Sequence, residues 1–296
     1  KWYYFPAGNM MKKKIYMLLK QGLDFLGGVE TLIPKDAKIL LKPNLLKKAE
    51  VEKAVITHPV VVGAFAGILR ESGYENIVLA DSCGHGTTQA VIRGTGMDTY
   101  LEKYHIPAVD YSEGVKTAYP QGVQAKEFIL PKELLEQDCV ISLSKMKTHA
   151  LERITGAVKN SYGFVYGFHK AKGHTQYPSA DSFARMLIDL NKCVAPKLYV
   201  MDGIVAMEGN GPGSGGSGSY ECIADVHRSG CTGQCIQPSG LSETGDGSDE
   251  LSWRENGTWY MERRGDYPSD TRRGDFHGRG SEKITEIRLL MQTVQK

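Results

Sequence analysis

Short apolar runs rich in β-branched residues recur along the first 200 residues of the chain. Four of them predict buried strands, because they are four or five residues long and end in polar or turn-forming residues. They cover residues 38–41, 76–80, 139–143 and 197–201. Residues 107–110 and 128–130 are candidates for two further short strands.

Apolar residues spaced three or four apart predict helices between these strands. One helical pattern begins at Ile15, and others cover residues 60–72, 87–103 and 182–193. Strands that alternate with helices are typical of an α/β fold. We therefore predict a largely parallel or mixed sheet with helices on both of its faces.

The composition changes after Gly215. Residues 216–281 contain six Ile, Val, Leu or Phe in 66 positions, well below the roughly 20% that marks even weakly folding chains. Without a hydrophobic period, such a segment favours disorder or irregular coil. We expect an α/β domain over residues 15–215 whose sheet is incomplete at its C-terminal end, a disordered tail over 216–296, and a non-native-looking or disordered segment over 1–14.

Polar side chains follow each of the four predicted strands. Ligands of open α/β sheets bind at the carboxyl ends of the strands, so four polar clusters in that position predict one shared site. For Asp81 and Asp202 the alternative is N-capping of a following helix. The candidates are Lys42 and Asn44 after the first strand, Asp81 and Ser82 after the second, Lys145, Lys147 and His149 after the third, and Asp202 after the fourth.

Lys145, Lys147 and His149 are the candidates for catalysis. They occupy alternate positions, so all three point to one side if the strand continues through them. Neighbouring ammonium groups attract phosphate or carboxylate, and crowding lowers the pKa of a lysine towards that of a base or nucleophile. The histidine could transfer a proton. The alternative is a solvated basic surface loop. As expected at a loop site, substitution of Lys145 and Lys147 with alanine should weaken binding of an anion but leave thermal stability nearly unchanged.

The segment that follows is polar and punctuated by glycine, which predicts a loop that holds an anion. Lys159 and Asn160 are its candidates for binding a cofactor. Gly211 and Gly213 lie in a later Gly-Asn-Gly-Pro-Gly run, whose backbone N–H groups could cradle a phosphate. A flexible loop is the alternative for that run.

The composition of the chain limits the classes of molecule that the protein is expected to bind. A net charge of +2 does not suggest a surface for nucleic acid or a membrane, and no apolar run approaches the roughly 18 residues of a membrane span. The six cysteines are scattered without a Cys-x-x-Cys pair, so we predict no metal site and no cluster motif. A reducing cytoplasm and an anionic small molecule are the expected setting and partner.

Five motifs occur in order and together resemble the domain of unknown function 362 family. The resemblance covers about residues 15–215. Members of this family are often fused to a ferredoxin-like iron–sulfur module, while no reaction is established for most of them. The motifs are Lys42-Pro-Asn-Leu45, Thr57-His-Pro59, Asp81-Ser-Cys-Gly84, Lys145-Met-Lys-Thr-His149 with Thr155-Gly-Ala-Val-Lys-Asn-Ser-Tyr-Gly163, and Asp202-Gly203 with Gly209-Asn-Gly-Pro-Gly213.

Residues and resemblance together predict an α/β protein that binds an anionic small molecule or cofactor at the strand ends and works in iron–sulfur redox metabolism. The redox part, with its ferredoxin-like partner, is implied by the resemblance alone. The cofactor is unknown, and an iron–sulfur cluster is expected in full-length relatives. The alternative is a non-catalytic binding module for a phosphorylated or carboxylated metabolite, so enzymatic activity stays open.

The tail leads to a hypothesis about its coding. The resembling family continues with a strand and Asp-Pro-Val-Ala-Leu-Asp-Ser, and later has Gly-Leu-Gly-Thr-Trp; neither occurs here. Permitted codons for residues 221–236, read one base later, encode Asn-Val-Leu-Leu-Met-Phe-Thr-Asp-Pro-Val-Ala-Leu-Asp-Ser-Val. Permitted codons for residues 253–261, also read one base later, encode Gly-Gly-Lys-Met-Gly-Leu-Gly-Thr-Trp. Two motifs in one frame indicate a frameshift near residues 215–220, which would truncate the native sequence and any module encoded beyond it.

Overall fold

The computed structural model describes residues 7–84, 86–226, 249–254 and 258–263. Its helices are α1 (Ala7–Phe25), α2 (Val29–Leu32), α3 (Pro59–Glu71), α4 (Thr88–Ile92), α5 (Met97–Lys103), α6 (Lys132–Leu135), α7 (Ala157–Asn160), α8 (His169–Gln176) and α9 (Ala180–Val194). Its strands are β1 (Ile39–Pro43), β2 (Ile77–Leu79), β3 (Gly114–Ala118), β4 (Glu127–Pro131), β5 (Cys139–His149), β6 (Arg153–Thr155), β7 (Leu198–Glu208), β8 (Gly216–Val226), β9 (Asp249–Arg254) and β10 (Thr258–Arg263).

The main sheet has the order β2-β1-β5-β7-β8 in the described part of the chain. The first three pairings are parallel, β8 runs antiparallel to β7, and β6 pairs antiparallel with the end of β5. This mostly parallel, mixed sheet with helices confirms the predicted α/β fold. Its order also brings the carboxyl ends of β1, β2, β5 and β7 to one edge, because parallel strands end on the same side.

Helices cover both faces of the sheet, since successive strand residues enter different cores. Ile39 and Leu41 of β1 pack in a core with α1, α3 and α5. Leu40, between them, packs in a second core with Phe183 and Leu190 of α9. The central strands are therefore buried on both sides, which explains why their sequences are continuously apolar.

Several predicted boundaries differ from the structure. Helix α1 begins at Ala7, so the expected break after residue 14 falls inside a helix. The single helix expected over residues 87–103 is two, α4 and α5, because Gly94 and Gly96 between them adopt positive φ. The expected strand at 107–110 is reduced to one bridge between Ala108 and Leu79. The loop expected after β6 contains helices α7 and α8.

The structure differs from the tail expectation over residues 216–226, 249–254 and 258–263, which it describes as strands. Strand β8 pairs with β7, and β9 pairs with β10, where irregular coil was expected. The physical reason for β8 is that the edge of β7 offers unpaired backbone groups, which a neighbouring strand satisfies whatever its side chains. The rest of the predicted tail, residues 227–248, 255–257 and 264–296, lies outside the described residues, as do residues 1–6.

Candidate functional site

The ends of β1 and β2 join through a buried ion pair. Lys42 Nζ lies 2.8 Å from Asp81 Oδ1, and both side chains are almost completely buried. The same ammonium donates to the carbonyl of Pro43. Asp81 Oδ2 accepts the backbone N–H of Leu45 at 2.7 Å. The pair therefore ties the loop after β1 to the end of β2.

A second buried pair joins β5 to β7. Lys145 and Asp202 stand opposite each other in the parallel register, and their side chains are wholly inaccessible to solvent. Lys145 Nζ donates to Asp202 Oδ2 at 2.8 Å. That oxygen also accepts the N–H of His58, and Oδ1 accepts the N–H of Ile204. Asp202 lies inside strand β7, so the predicted alternative, N-capping of a helix that follows the strand, does not apply.

Lys147 is buried without a carboxylate partner in the described part of the chain. Its Nζ donates to Asn44 Oδ1 and to the carbonyl of Val55, both at 2.8 Å. Burial, followed by the charge of Lys159, lowers the pKa of Lys147 to about 7. The ammonium of Lys147 therefore exchanges its proton near neutral pH.

Asn160 connects Lys147 and the Lys42–Asp81 pair into one hydrogen-bonded network. Its Oδ1 accepts from Lys42 Nζ at 3.1 Å and from Asn44 Nδ2 at 3.2 Å, while its Nδ2 donates to Ser142 Oγ. A continuous path thus runs from Lys147 through two asparagines to the Lys42–Asp81 pair. We call Lys42, Asn44, Asp81, Lys145, Lys147, Asn160 and Asp202 the strand-end cluster.

His149 closes the turn that follows β5. Its Nδ1 accepts the backbone N–H groups of Leu151 at 3.1 Å and Glu152 at 3.2 Å. Burial, followed by the charge of Lys159, lowers the pKa of His149 to about 3. The imidazole is therefore neutral at physiological pH and serves as an acceptor in the turn. Proton transfer by His149 stays a prediction.

Lys159 projects over aromatic rings. Its Nζ lies 5.8 Å from the ring centres of Tyr162 and Phe183. The His174 ring stacks on Phe183 with centroids 4.7 Å apart. Burial lowers the pKa of Lys159 to about 8, although the nearby carboxylate of Glu152 acts in the opposite direction and raises it. We call Lys159, Glu152, Tyr162, His174 and Phe183 the Lys159 cluster.

Three further predicted residues, Ser82, Gly211 and Gly213, contact residues outside the strand-end cluster. The carbonyl of Ser82 accepts a hydrogen bond from Lys170 Nζ. A Cβ atom at Gly211 would collide with the carbonyl of Thr148, and one at Gly213 would touch Lys47. Close packing thus accounts for glycine at position 211, and the phosphate cradle stays a prediction.

Three residues of the site were not among the predicted ones. Thr57 Oγ1 accepts the N–H of Asn44 and donates to the carbonyl of Leu143, which fixes the loop after β1. Gly163 lies against the Lys42–Asp81 pair. Both belong to the motifs of the resemblance, which could have marked them. Lys170 reaches the second strand end from α8, and no pattern in the sequence signals that contact.

The described residues do not fit an iron–sulfur cluster or another metal centre. No three His, Cys, Asp or Glu side chains among them come together in a way that could hold a metal ion. Cys139 is buried in the core, and burial raises the pKa of both Cys83 and Cys139 to about 12. Nor does any helix of the described chain have the length and apolar character of a membrane span.

Comparison with known proteins supports the family resemblance that the sequence motifs indicate. A thylakoid-associated protein of Synechocystis sp. is 36% identical over 210 residues, which are 70% of this chain and 63% of that protein. The chain thus spans less than two thirds of that relative. The lactate racemase apoprotein from Thermoanaerobacterium thermosaccharolyticum superposes with a TM-score of 0.46 at 12% identity, over 66% of this chain and 49% of that one. The family described as Domain of unknown function (DUF362) matches residues 39–224, and the chain belongs to this family.

Proposed function

We propose that this protein binds an anionic small molecule or cofactor, one that carries phosphate or carboxylate, at the carboxyl ends of its parallel strands. The observation that carries the proposal is Lys147. It is 2% exposed, yet its described partners are two neutral oxygens. A buried ammonium without a counter-charge is costly, and a bound anion would offset that cost.

The surrounding charges favour the same ligand. Lysines outnumber carboxylates around the strand ends, so the local charge is positive although the net charge of the chain is only +2. The positive groups are Lys42, Lys145, Lys147, Lys159 and Lys170, and the described carboxylates among them are Asp81, Asp202 and Glu152. The excess of these lysines over these carboxylates favours an anionic ligand.

The pH dependence of binding follows from Lys147. Its pKa of about 7 in the free protein rises when an anion sits beside it, because opposite charge favours the ammonium form. Binding then takes up a proton above neutral pH. Affinity should fall as the pH rises from about 6.5 to 8.5, which calorimetry in two buffers of different ionisation enthalpy would detect.

The direct test compares two lysine substitutions. Lys147→Met should weaken binding of inorganic phosphate and of citrate by about tenfold or more, the effect of losing one charge-assisted contact. Lys116→Met is the matched control, because Lys116 is exposed and pairs with Glu127 on the separate β3–β4 hairpin. Equal affinity of both variants and the wild type, each with a cooperative melt, would refute the proposal.

The proposed link to iron–sulfur redox metabolism rests on the family resemblance. Because the described residues do not fit a cluster, the proposal places the cluster in a ferredoxin-like redox partner, in the cytoplasm. A non-catalytic binding module would take the same class of ligand. The low pKa of Lys147 supports a reactive site, since a binding lysine gains nothing from losing its proton.

A further inference from the structure

Helix α8 packs sparsely on the rest of the fold. It contains no large apolar residue; Gly173 is buried, Lys170 is half-buried, and its other six residues are exposed. Phe168, which precedes the helix, is 94% exposed, so its ring adds little packing at that end. A polar helix of eight residues does not persist in water on its own. The few contacts that α8 makes with the fold therefore decide whether it forms.

One set of contacts places α8 outside the strand-end cluster. The Tyr162 hydroxyl donates to the carbonyl of Lys170. The same hydroxyl oxygen would lie 2.3 Å from a Cβ atom at Gly173, so the helix approaches Tyr162 closely. Gly163, the next residue after Tyr162, lies against the Lys42–Asp81 pair. Helix α8 thus covers the segment that covers this pair.

A second contact joins α8 to the end of β2. Lys170 Nζ donates to the backbone carbonyls of Ser82 and Cys83, which directly follow Asp81. We call these two hydrogen bonds the Lys170 latch. Within the described residues Lys170 forms no ion pair with a carboxylate, and its acceptors are neutral. An anion bound at the strand ends would therefore stabilise this ammonium in its present place.

The chain before α8 has the form of a hinge. Tyr166 is fixed, because its backbone N–H donates to the carbonyl of Ile129 and its hydroxyl to the carbonyl of Ser112. Gly167 follows with φ of 55°, and a Cβ atom there would meet nothing within 4 Å. The backbone can therefore turn at Gly167 without disturbing the residues before it.

We infer that α8 is a lid over the strand-end cluster, held closed by the Lys170 latch and strengthened by a bound anion. This inference rests on the proposed function for the ligand that the lid encloses, whereas the latch is present in the free protein. Opening turns the chain at Gly167, breaks the latch and melts the short helix. The anion favours the closed form because it interacts with Lys170 only when the lid is closed.

Amide hydrogen exchange of the full-length chain tests the latch. Mass spectrometry of the peptide over residues 167–177 reports opening, because a released α8 exposes its amides. Lys170→Met should speed this exchange by about tenfold, the effect of losing one charge-assisted hydrogen bond. Lys172→Met is the matched control on the same helix, since Lys172 is exposed, and should exchange as the wild type does. Equal exchange in both variants would overturn the latch.

Gly173→Ala tests the packing of α8 by the sign of its effect. Alanine favours a helix more than glycine does, so a helix that formed independently would exchange more slowly after this change. We expect faster exchange, because the added Cβ collides with the Tyr162 hydroxyl. Slower exchange would overturn the docked lid. Strand β5 is the control in every variant, and an equal acceleration there would mean that α8 opens only with the whole fold, which also overturns the lid.

Inorganic phosphate separates this inference from the proposed function. At ten times its dissociation constant, phosphate should slow α8 exchange in the wild type by up to about tenfold, and by less in Lys170→Met. Phosphate that binds without slowing α8, or slows it equally in Lys170→Met, would overturn the lid and leave the proposed function intact. If phosphate fails to bind while Lys170→Met still speeds exchange, the proposed function falls and the latch stands.

Discussion

At the scale of the residue, the lysines at the strand ends are buried and paired through partners that are distant in sequence. The sequence identified Lys145 and Lys147 as site residues in a loop, where substitution would hardly affect stability. The structure places both in strand β5, with Lys145 wholly inaccessible. The partner of Lys145 is Asp202, 57 residues away, and only the order of the strands brings the two together. The order of the strands cannot be read from the local sequence.

Removal of the carboxylate at position 202 should destabilise the fold. Asp202→Asn leaves the buried ammonium of Lys145 without a counter-charge, and we expect a loss of about 3–5 kcal/mol in the free energy of unfolding. Urea denaturation monitored by circular dichroism measures it. Glu127→Gln is the control, because the Lys116–Glu127 pair is more than half exposed and its loss should cost about 1 kcal/mol or less. A loss of similar size in both variants would contradict the buried-pair account.

Gly163 is required by the space around the Lys42–Asp81 pair. A Cβ atom there would collide with Asp81 Oδ1 and lie 2.6 Å from Lys42 Nζ. Gly163→Ala should therefore destabilise the protein by about 1–3 kcal/mol through overpacking, and it should also weaken phosphate binding. At Gly216 an added Cβ meets nothing within 4 Å, so Gly216→Ala should melt close to the wild type. Equal melting temperatures for both variants would count against this packing.

At the scale of the element, strand β5 shows what periodicity can and cannot predict. The apolar run predicted residues 139–143, and the strand continues for six further residues to His149. All of those residues except Met146 are polar, so their side chains gave little signal of burial. They remain extended because β7 lies on one side and β6 folds back on the other. Backbone pairing with two neighbours decided the length of the strand, and a single sequence does not reveal it.

The turn after β5 should respond to pH through His149. Because the folded-state pKa is about 3 and the unfolded value is near 6.5, the unfolded chain binds the proton first as the pH falls. The contribution of neutral His149 is therefore complete above about pH 6.5 and decreases below it. His149→Asn keeps an acceptor for the two backbone N–H groups without titrating. Wild type should lose stability relative to this variant between pH 7 and pH 5 in paired urea titrations; parallel curves would rule out the role of His149.

At the scale of the whole molecule, the sequence predicted the α/β fold and the edge at which polar residues gather, but not how those residues pair. It placed polar groups at the carboxyl ends of four strands, and the structure joins four of these residues, Lys42, Asn44, Asp81 and Lys147, with Asn160 of α7 in one hydrogen-bonded network. That these residues meet could be predicted because parallel strands end at one edge of a sheet whatever their order. Which lysine is paired and which is left with neutral partners depends on the order β2-β1-β5-β7, which sequence patterns do not contain.

The last prediction concerns the C-terminal third of the chain. Residues 223–226 of β8 stand opposite residues 202–199 of β7, and the family match ends at residue 224. Read one base later, residues 221–226 would be Asn-Val-Leu-Leu-Met-Phe. This apolar sequence suits a strand beside the buried β7 better than Glu-Cys-Ile-Ala-Asp-Val does, while backbone pairing serves both.

We therefore expect the nucleotide sequence over residues 210–262 to encode Asp-Pro-Val-Ala-Leu-Asp-Ser and Gly-Leu-Gly-Thr-Trp in its +1 frame. A chain expressed from the restored frame should bury its sheet edge with apolar side chains, and it should unfold at a higher temperature than the chain as written, because buried apolar area stabilises the fold. Sequencing of the coding region decides the matter. A +1 frame that lacks both motifs would end the hypothesis, and β8 would then be a native strand held at the sheet edge by its backbone alone.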